Sequence, residues 1–236
     1  MSKSILRIEW DYPVYTPVVQ PKKDGTHARM ARKALSREDA FKAISGDDPR
    51  PLLVLRECKV CNGTDDALLK GGTDNEKTFL LSRWFHCVKL PVDVLDENHP
   101  FHVLFTQENP EHLFVCSLDG QNHDPLESET SRVELWKSMR GMLGTEYKSK
   151  PDASLKKISS LLNKMDVVDQ KIRDLNAKHE DVLEDDGPDS RKLPKLLKKL
   201  AKAELEGNKL QAEVEKATKL ELRRRTDAKT GSASSQ

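Results

Sequence analysis

Residues 51–64 read PLLVLRECKVCNGT, and this stretch decides how the first half of the chain is understood. Pro51–Leu55 is an unbroken apolar run, the mark of a strand buried on both faces. It feeds directly into Cys58-Lys-Val-Cys61, two cysteines in C-x-x-C spacing, followed by the turn signal Asn62-Gly63 and by Thr64, Asp65 and Asp66, which favour a helix start around Asp65–Leu69. A cysteine between a strand and a helix N-terminus faces orphan backbone amides and the helix dipole, which lower its pKa and make it reactive. A second cysteine three residues away closes a small disulfide or supplies a second metal ligand.

Outward from this loop, helix and strand signals alternate. Ser4–Trp10 (SILRIEW) alternates apolar and polar residues and predicts a strand. Ser36-Arg-Glu-Asp39 opens a capped helix carrying Phe41 and Ile44 on one face. Trp84–Val94 contains the next strand, with Pro91 interrupting its ladder. Phe101–Phe105 reads as a strand or a short helix. Leu113–Leu118 is a strand ending in the Asp119-Gly120 turn, and Arg132–Leu143 is a helix with Val133, Trp136, Met139 and Leu143 on its apolar side. The expected fold is an α/β sandwich with a central sheet of about four to five strands flanked by helices.

These elements resemble the thioredoxin-like family over Ser36–Leu143. The resemblance rests on the helix SREDAFKAIS, the strand RPLLVL, the C-x-x-C, the strand HCVKLPVDV, the strand HLFVCSLDG and the closing helix VELWKSM. It implies a nucleophilic cysteine, a second cysteine that resolves the mixed disulfide, and a cis-proline before the penultimate strand facing the motif. Counted from Pro51, Cys61 takes the nucleophile's slot, Thr64 the resolving position, and Cys58 becomes the partner from the loop side. His112 stands at the place of the cis-proline, with Pro110 two residues earlier, and the Trp-Cys-Gly-Pro-Cys signature is absent. The domain is therefore identified as a divergent thioredoxin-like one, with Cys58 and Cys61 as catalytic candidates and Thr64 and His112 as binding candidates.

Three readings stay open for the cysteine pair. As a redox pair, Cys61 attacks and Cys58 resolves, with Arg56 and Lys59 favouring the thiolate. As half of a metal site, the pair needs further ligands from His86, Cys87 or Cys116, although a second close-spaced pair is lacking. As small loop residues, the two cysteines do no chemistry. No metal or other cofactor is expected. Cys87 and Cys116 lie in apolar strands and read as inert core thiols, and His102 and His112 sit beside strand ends.

Past Pro151 the composition turns to Leu, Lys, Glu, Asp and Ala. Ile158, Leu161, Met165, Val168, Ile172, Leu175, His179 and Val182 step by three and four, a heptad seam with one polar member. Glu184–Ser190 breaks it, with Ser190 expected to cap the next helix and Pro194 tolerated in its first turn. Leu193, Leu196, Leu200, Ala203, Gly207, Leu210, Val214 and Ala217 repeat the pattern, so an antiparallel helical hairpin is expected. The expected organisation is an N-terminal extension with a short strand (1–35), a thioredoxin-like domain (36–147), a coiled-coil hairpin (152–225) and a disordered tail (226–236). The hairpin is expected to bind a protein partner or a second copy.

Composition supports that division. The 236 residues hold 40 Lys and Arg against 39 Asp and Glu, a formal charge of +1, so no global charge favours nucleic acid or membrane. The chain is 36% hydrophobic and 33% charged, which fits a core-bearing domain joined to a charged helical part. No apolar run is long enough to cross a membrane. Four cysteines without a leader-like start point to a reducing, cytoplasmic setting. No phosphate loop, nucleophile elbow or zinc-protease motif is present, which leaves hydrolase and nucleotide-dependent readings unsupported.

Overall fold

The computed structural model describes residues 5–15, 34–58, 75–127 and 130–223. It is a mixed α/β structure with a five-stranded mixed sheet and a C-terminal pair of long helices. The strands are β1 (Trp10–Asp11), β2 (Leu52–Arg56), β3 (His86–Leu90), β4 (Leu113–Cys116) and β5 (Asp124–Leu126). The helices are α1 (Arg37–Ser45), α2 (Glu76–Ser82), α3 (Arg132–Glu146), α4 (Pro151–Asp186) and α5 (Leu193–Thr218). The chain forms two compact units, Ile8–Ser149 with Glu221–Gln236, and Met1–Arg7 with Lys150–Leu220.

In the first unit the sheet order is β1-β3-β2-β4-β5. β2 lies at its centre, parallel to β3 and antiparallel to β4. Every residue of β2 is buried, as an apolar run without alternation requires. Alternate side chains leave opposite faces of a strand. Leu52 and Val54 join Val88, Leu90, Phe114 and Cys116 in a cluster with Phe41 and Ile44 of α1. α1 begins where Ser36 Oγ accepts from the Asp39 amide at 3.1 Å, the cap expected from SREDAF. On α3 the capping box between Ser131 and Glu134 fixes the start.

Several elements differ from expectation. β1 covers Trp10–Asp11 and not Ser4–Trp10, and residues 5–7 group with the helical pair. The strand around Trp84–Val94 ends at Leu90, and Val92–Leu95 after Pro91 is a 3₁₀ turn. His102–Leu104 is also 3₁₀, so of the two readings for Phe101–Phe105 the helical one holds. α3 buries Leu135, Met139, Met142 and Leu143, while Val133 is 70% exposed. β5 was not anticipated, because Pro125 hides it. A proline lacks the amide donor and is tolerated on an edge strand, where it also denies a donor to an incoming strand.

The second unit is the helical pair. Ile158, Leu161, Met165 and Val168 of α4 and Ala203, Gly207, Val214 and Ala217 of α5 are buried along the expected seam, and His179 is half-buried. A Cβ added at Gly207 would lie 3.6 Å from Val168, so the helices come close there. Ser190 Oγ accepts from the Lys192 amide in the connecting turn, whereas the residue before α5 is Lys192, without a side-chain cap. Ser190 is thus a turn residue and not the helix cap. Among the described residues no helix is long and apolar enough to cross a membrane.

Candidate functional site

The register of the sheet builds the site. Leu55 pairs with Leu113, and one step further the Arg56 amide donates to the His112 carbonyl at 2.7 Å. The end of β2, carrying Glu57 and Cys58, therefore runs alongside the segment Pro110–His112 that enters β4. On the other flank the Glu57 amide donates to the Leu90 carbonyl at 2.8 Å, so the cysteine segment leaves from between two strands.

Cys58 is half-buried at this sheet end. Cys61, Thr64, Lys59 and the expected helix at 65–69 lie outside the described residues. His112 is half-buried, and its pKa is lowered by burial first and by the neighbouring Arg56 charge second. It is a neutral imidazole near pH 7 on both counts. Its peptide bond is trans, since the described residues contain no cis peptide bond. Arg56 is only 6% exposed and spends its guanidinium on the carbonyls of Pro110 (3.0 Å) and Glu111 (3.2 Å).

Two groups flank this centre. On one side Lys89 of β3, 8% exposed, holds its ammonium 3.9 Å from Glu57 and 5.8 Å from the Trp10 ring. On the other, Glu111 and His123 form a 2.5 Å pair, and the His123 ring lies 4.5 Å from that of Phe114. Burial raises the Glu111 pKa, but the hydrogen bond and charge of His123 more than offset it, leaving the carboxyl below its usual range. Sequence reasoning missed Glu111 and His123. They stand twelve positions apart across β4, and no local spacing marks the pair.

The other cysteines are elsewhere. His86 and Cys116 both pair with Leu52 at the start of β2, and Cys87 pairs with Leu53. Cys58 follows the far end of that strand, about 13 Å or more along it at roughly 3.3 Å per residue. Cys87, Cys116 and His86 therefore do not meet Cys58, which removes the extra ligands the metal reading needed. Among the described residues no group of three or more His, Cys, Asp or Glu side chains is gathered as a metal site. Burial pushes both core thiols up to about 12. His86 instead pairs with Asp11 at 3.1 Å.

No protein-family model, curated protein or solved structure matches this chain.

Proposed function

We propose that the protein is a divergent thioredoxin-like thiol–disulfide oxidoreductase, with Cys61 as nucleophile, Cys58 as partner and the helical pair as a partner-binding arm. The observation that carries the reading is the sheet order β1-β3-β2-β4-β5, three parallel strands followed by an antiparallel pair, with Cys58 just past the end of the central strand and beside the entry to β4. That arrangement is the one in which thioredoxin-like proteins carry their C-x-x-C.

In the proposed reaction the Cys61 thiolate attacks one sulfur of a substrate disulfide. A mixed disulfide forms and the other substrate sulfur leaves as a thiolate. The Cys58 thiolate then attacks Cys61, closing the protein disulfide and releasing the second substrate thiol. The substrate is reduced by two electrons, the protein dithiol is oxidised by two, and a small dithiol restores it. Reduction of insulin by dithiothreitol tests this in the full-length protein. Cys58→Ser and Cys61→Ser should each lose the acceleration, and variants as active as the parent would end the redox reading.

The arm favours a second reading, a non-catalytic scaffold that assembles through α4 and α5. Val167 (69% exposed) and Leu205 (56%) stand on its surface without apolar cover. If Val167→Asp with Leu205→Asp changes the mass found by light scattering, self-association runs through the arm; an unchanged mass removes that role.

A further inference from the structure

The helical pair carries a charge pattern that its own seam does not use. A residue two places past a seam position lies about 200° round the helix, on the side away from the other helix. On α5 those places hold Lys195, Lys198, Lys202, Leu205 and Lys209, all exposed and with no acid among them. On α4 they hold Val167, Gln170, Asp174, Ala177, Asp181 and Glu184, all exposed and with no base among them. Charges nearer the seam are paired inside the arm, Lys171 with Glu206 at 3.7 Å and Lys192 with Asp186 at 2.8 Å. Lys195, Lys198, Lys202, Asp181 and Glu184 have no ion-pair partner among the described residues. Helix electrostatics does not account for the pattern either. Lys195 stands in the first turn of α5 and Glu184 in the last turn of α4, where the helix dipole favours the opposite signs.

The two outer stripes also match in register. Val168 lies 3.6 Å from a Cβ added at Gly207, which makes these two residues level across the seam. Counting in opposite directions from that pair brings Asp174 level with Ala201, Asp181 with Pro194 and Glu184 with Arg191. Lys202 and Lys195 are the next residues along, a step of about 1.5 Å. Leu205 falls level with Gln170, within one turn of Val167. A second arm laid beside the first, connecting turns aligned, thus sets bases of α5 against acids of α4. It also brings Leu205 (56% exposed) near Val167 (69%). Placing α5 against α5 would instead set lysine against lysine.

We infer that the two-helix arms of neighbouring copies of this chain associate side by side, the outer stripe of α5 on one copy against the outer stripe of α4 on the next. The inference rests on the scaffold reading above and gives it a surface and a partner. The partner is a second copy because both members of the match lie on one arm and share one register. A contact between two unlike edges leaves one of each free, so addition continues beyond two copies. Each exposed ion pair is weak alone and is screened by salt, and Leu205 with Val167 supplies the apolar contact among them.

Light scattering of the full-length protein reads mass against concentration. The mass should rise past two copies. It should fall as salt goes from about 0.1 M to 1 M, which shortens the Debye length from about 10 Å to about 3 Å. Lys195→Glu with Lys202→Glu should hold the protein at one copy, and so should Asp174→Lys with Asp181→Lys. Mixing these two variants should restore association, because an acidic α5 stripe then meets a basic α4 stripe. A chain with all four substitutions should recover by itself. A variant that had merely unfolded would give no such recovery, so the rescue keeps the test sound. A parent that stays at one copy, charge variants with the parental mass, or no recovery on mixing overturns the inference. If Val167→Asp with Leu205→Asp changes the mass while the charge variants do not, the matched register is wrong and the scaffold reading stands. If no variant changes the mass, both fall.

Discussion

The hydroxyl of Tyr147 donates a 2.7 Å hydrogen bond to the backbone carbonyl of Trp84, and both residues are buried. The bond joins the end of α3 to the turn between α2 and β3. Burial raises the Tyr147 pKa, so the folded protein favours the neutral phenol.

The sign for stability follows. A raised folded pKa contributes stability that is complete below the ordinary tyrosine value of about 10 and is lost as pH climbs beyond it. Tyr147→Phe should cost about 1–3 kcal/mol at neutral pH, because a buried hydrogen bond is lost. The variant should also lose less stability than the parent on going to alkaline pH. Urea unfolding followed by tryptophan fluorescence at both pH values checks this; equal alkaline losses would refute it.

Cys87 and Cys116 have thiols pushed up to about 12 by burial. They should resist iodoacetamide at mildly alkaline pH until the protein is unfolded, whereas half-buried Cys58 should be alkylated in the native state. Peptide mass mapping before and after denaturation separates the two classes. Native labelling of Cys116 would contradict the packing described.

On the acid side the group to watch is Glu111, whose carboxyl is held below its usual range by His123 despite burial. A depressed folded pKa gives stability that is present above the unfolded value of about 4.3 and is lost as pH falls through the folded one. Glu111→Gln should be less stable than the parent at pH 6 and should close that gap as both are acidified to about pH 3. Thermal melts across this range read the effect, and a gap that widens in acid would reverse the assignment.

Two glycines should respond oppositely. Gly120 has φ +77°, and a Cβ there would fall 2.1 Å from the buried Phe41 ring. Gly120→Ala should therefore cost about 2 kcal/mol or more through backbone strain and displacement of the ring. At Gly207 the added Cβ meets Val168 at an ordinary 3.6 Å, so Gly207→Ala should stabilise α5 by about 0.5–1 kcal/mol through helix propensity. Circular-dichroism melts of both variants decide the pair.

Elements whose periodicity is matched by burial were legible in sequence. β2 as a continuous apolar run and α1 behind its Ser36 cap emerged with the expected residues inside, and the seam of α4 and α5 did so in part, with Ile172, Leu175, Val182, Leu196, Leu200 and Leu210 half-buried. What escaped depends on partners distant in the chain. The alternation of SILRIEW suits a strand, yet only Trp10 and Asp11 pair with β3. In α3, Val133 and Leu135 are both apolar, yet Val133 is 70% exposed and Leu135 1%. At this sheet end, sequence alone could single out Cys58 and His112 as candidates, whereas the contacts of Arg56 and Glu111 with the entry to β4 arise from the antiparallel pairing of β2 with β4.

Tyr147 forms a β-bridge with Leu222, the Arg223 amide donates to the Glu146 carbonyl at 2.8 Å, and the Lys148 amide donates to the Glu221 carbonyl at 2.9 Å. The chain thus leaves the first unit after Ser149 and rejoins it at Glu221. During synthesis, domains form in the order in which their residues emerge. The five-stranded sheet can assemble while α4 and α5 are still being translated, but the backbone bonds between 146–148 and 221–223, which lie outside that sheet, must wait for the whole arm. A nascent chain stalled within α5 would carry a complete sheet in a first unit that still lacks its closing bridge at Tyr147.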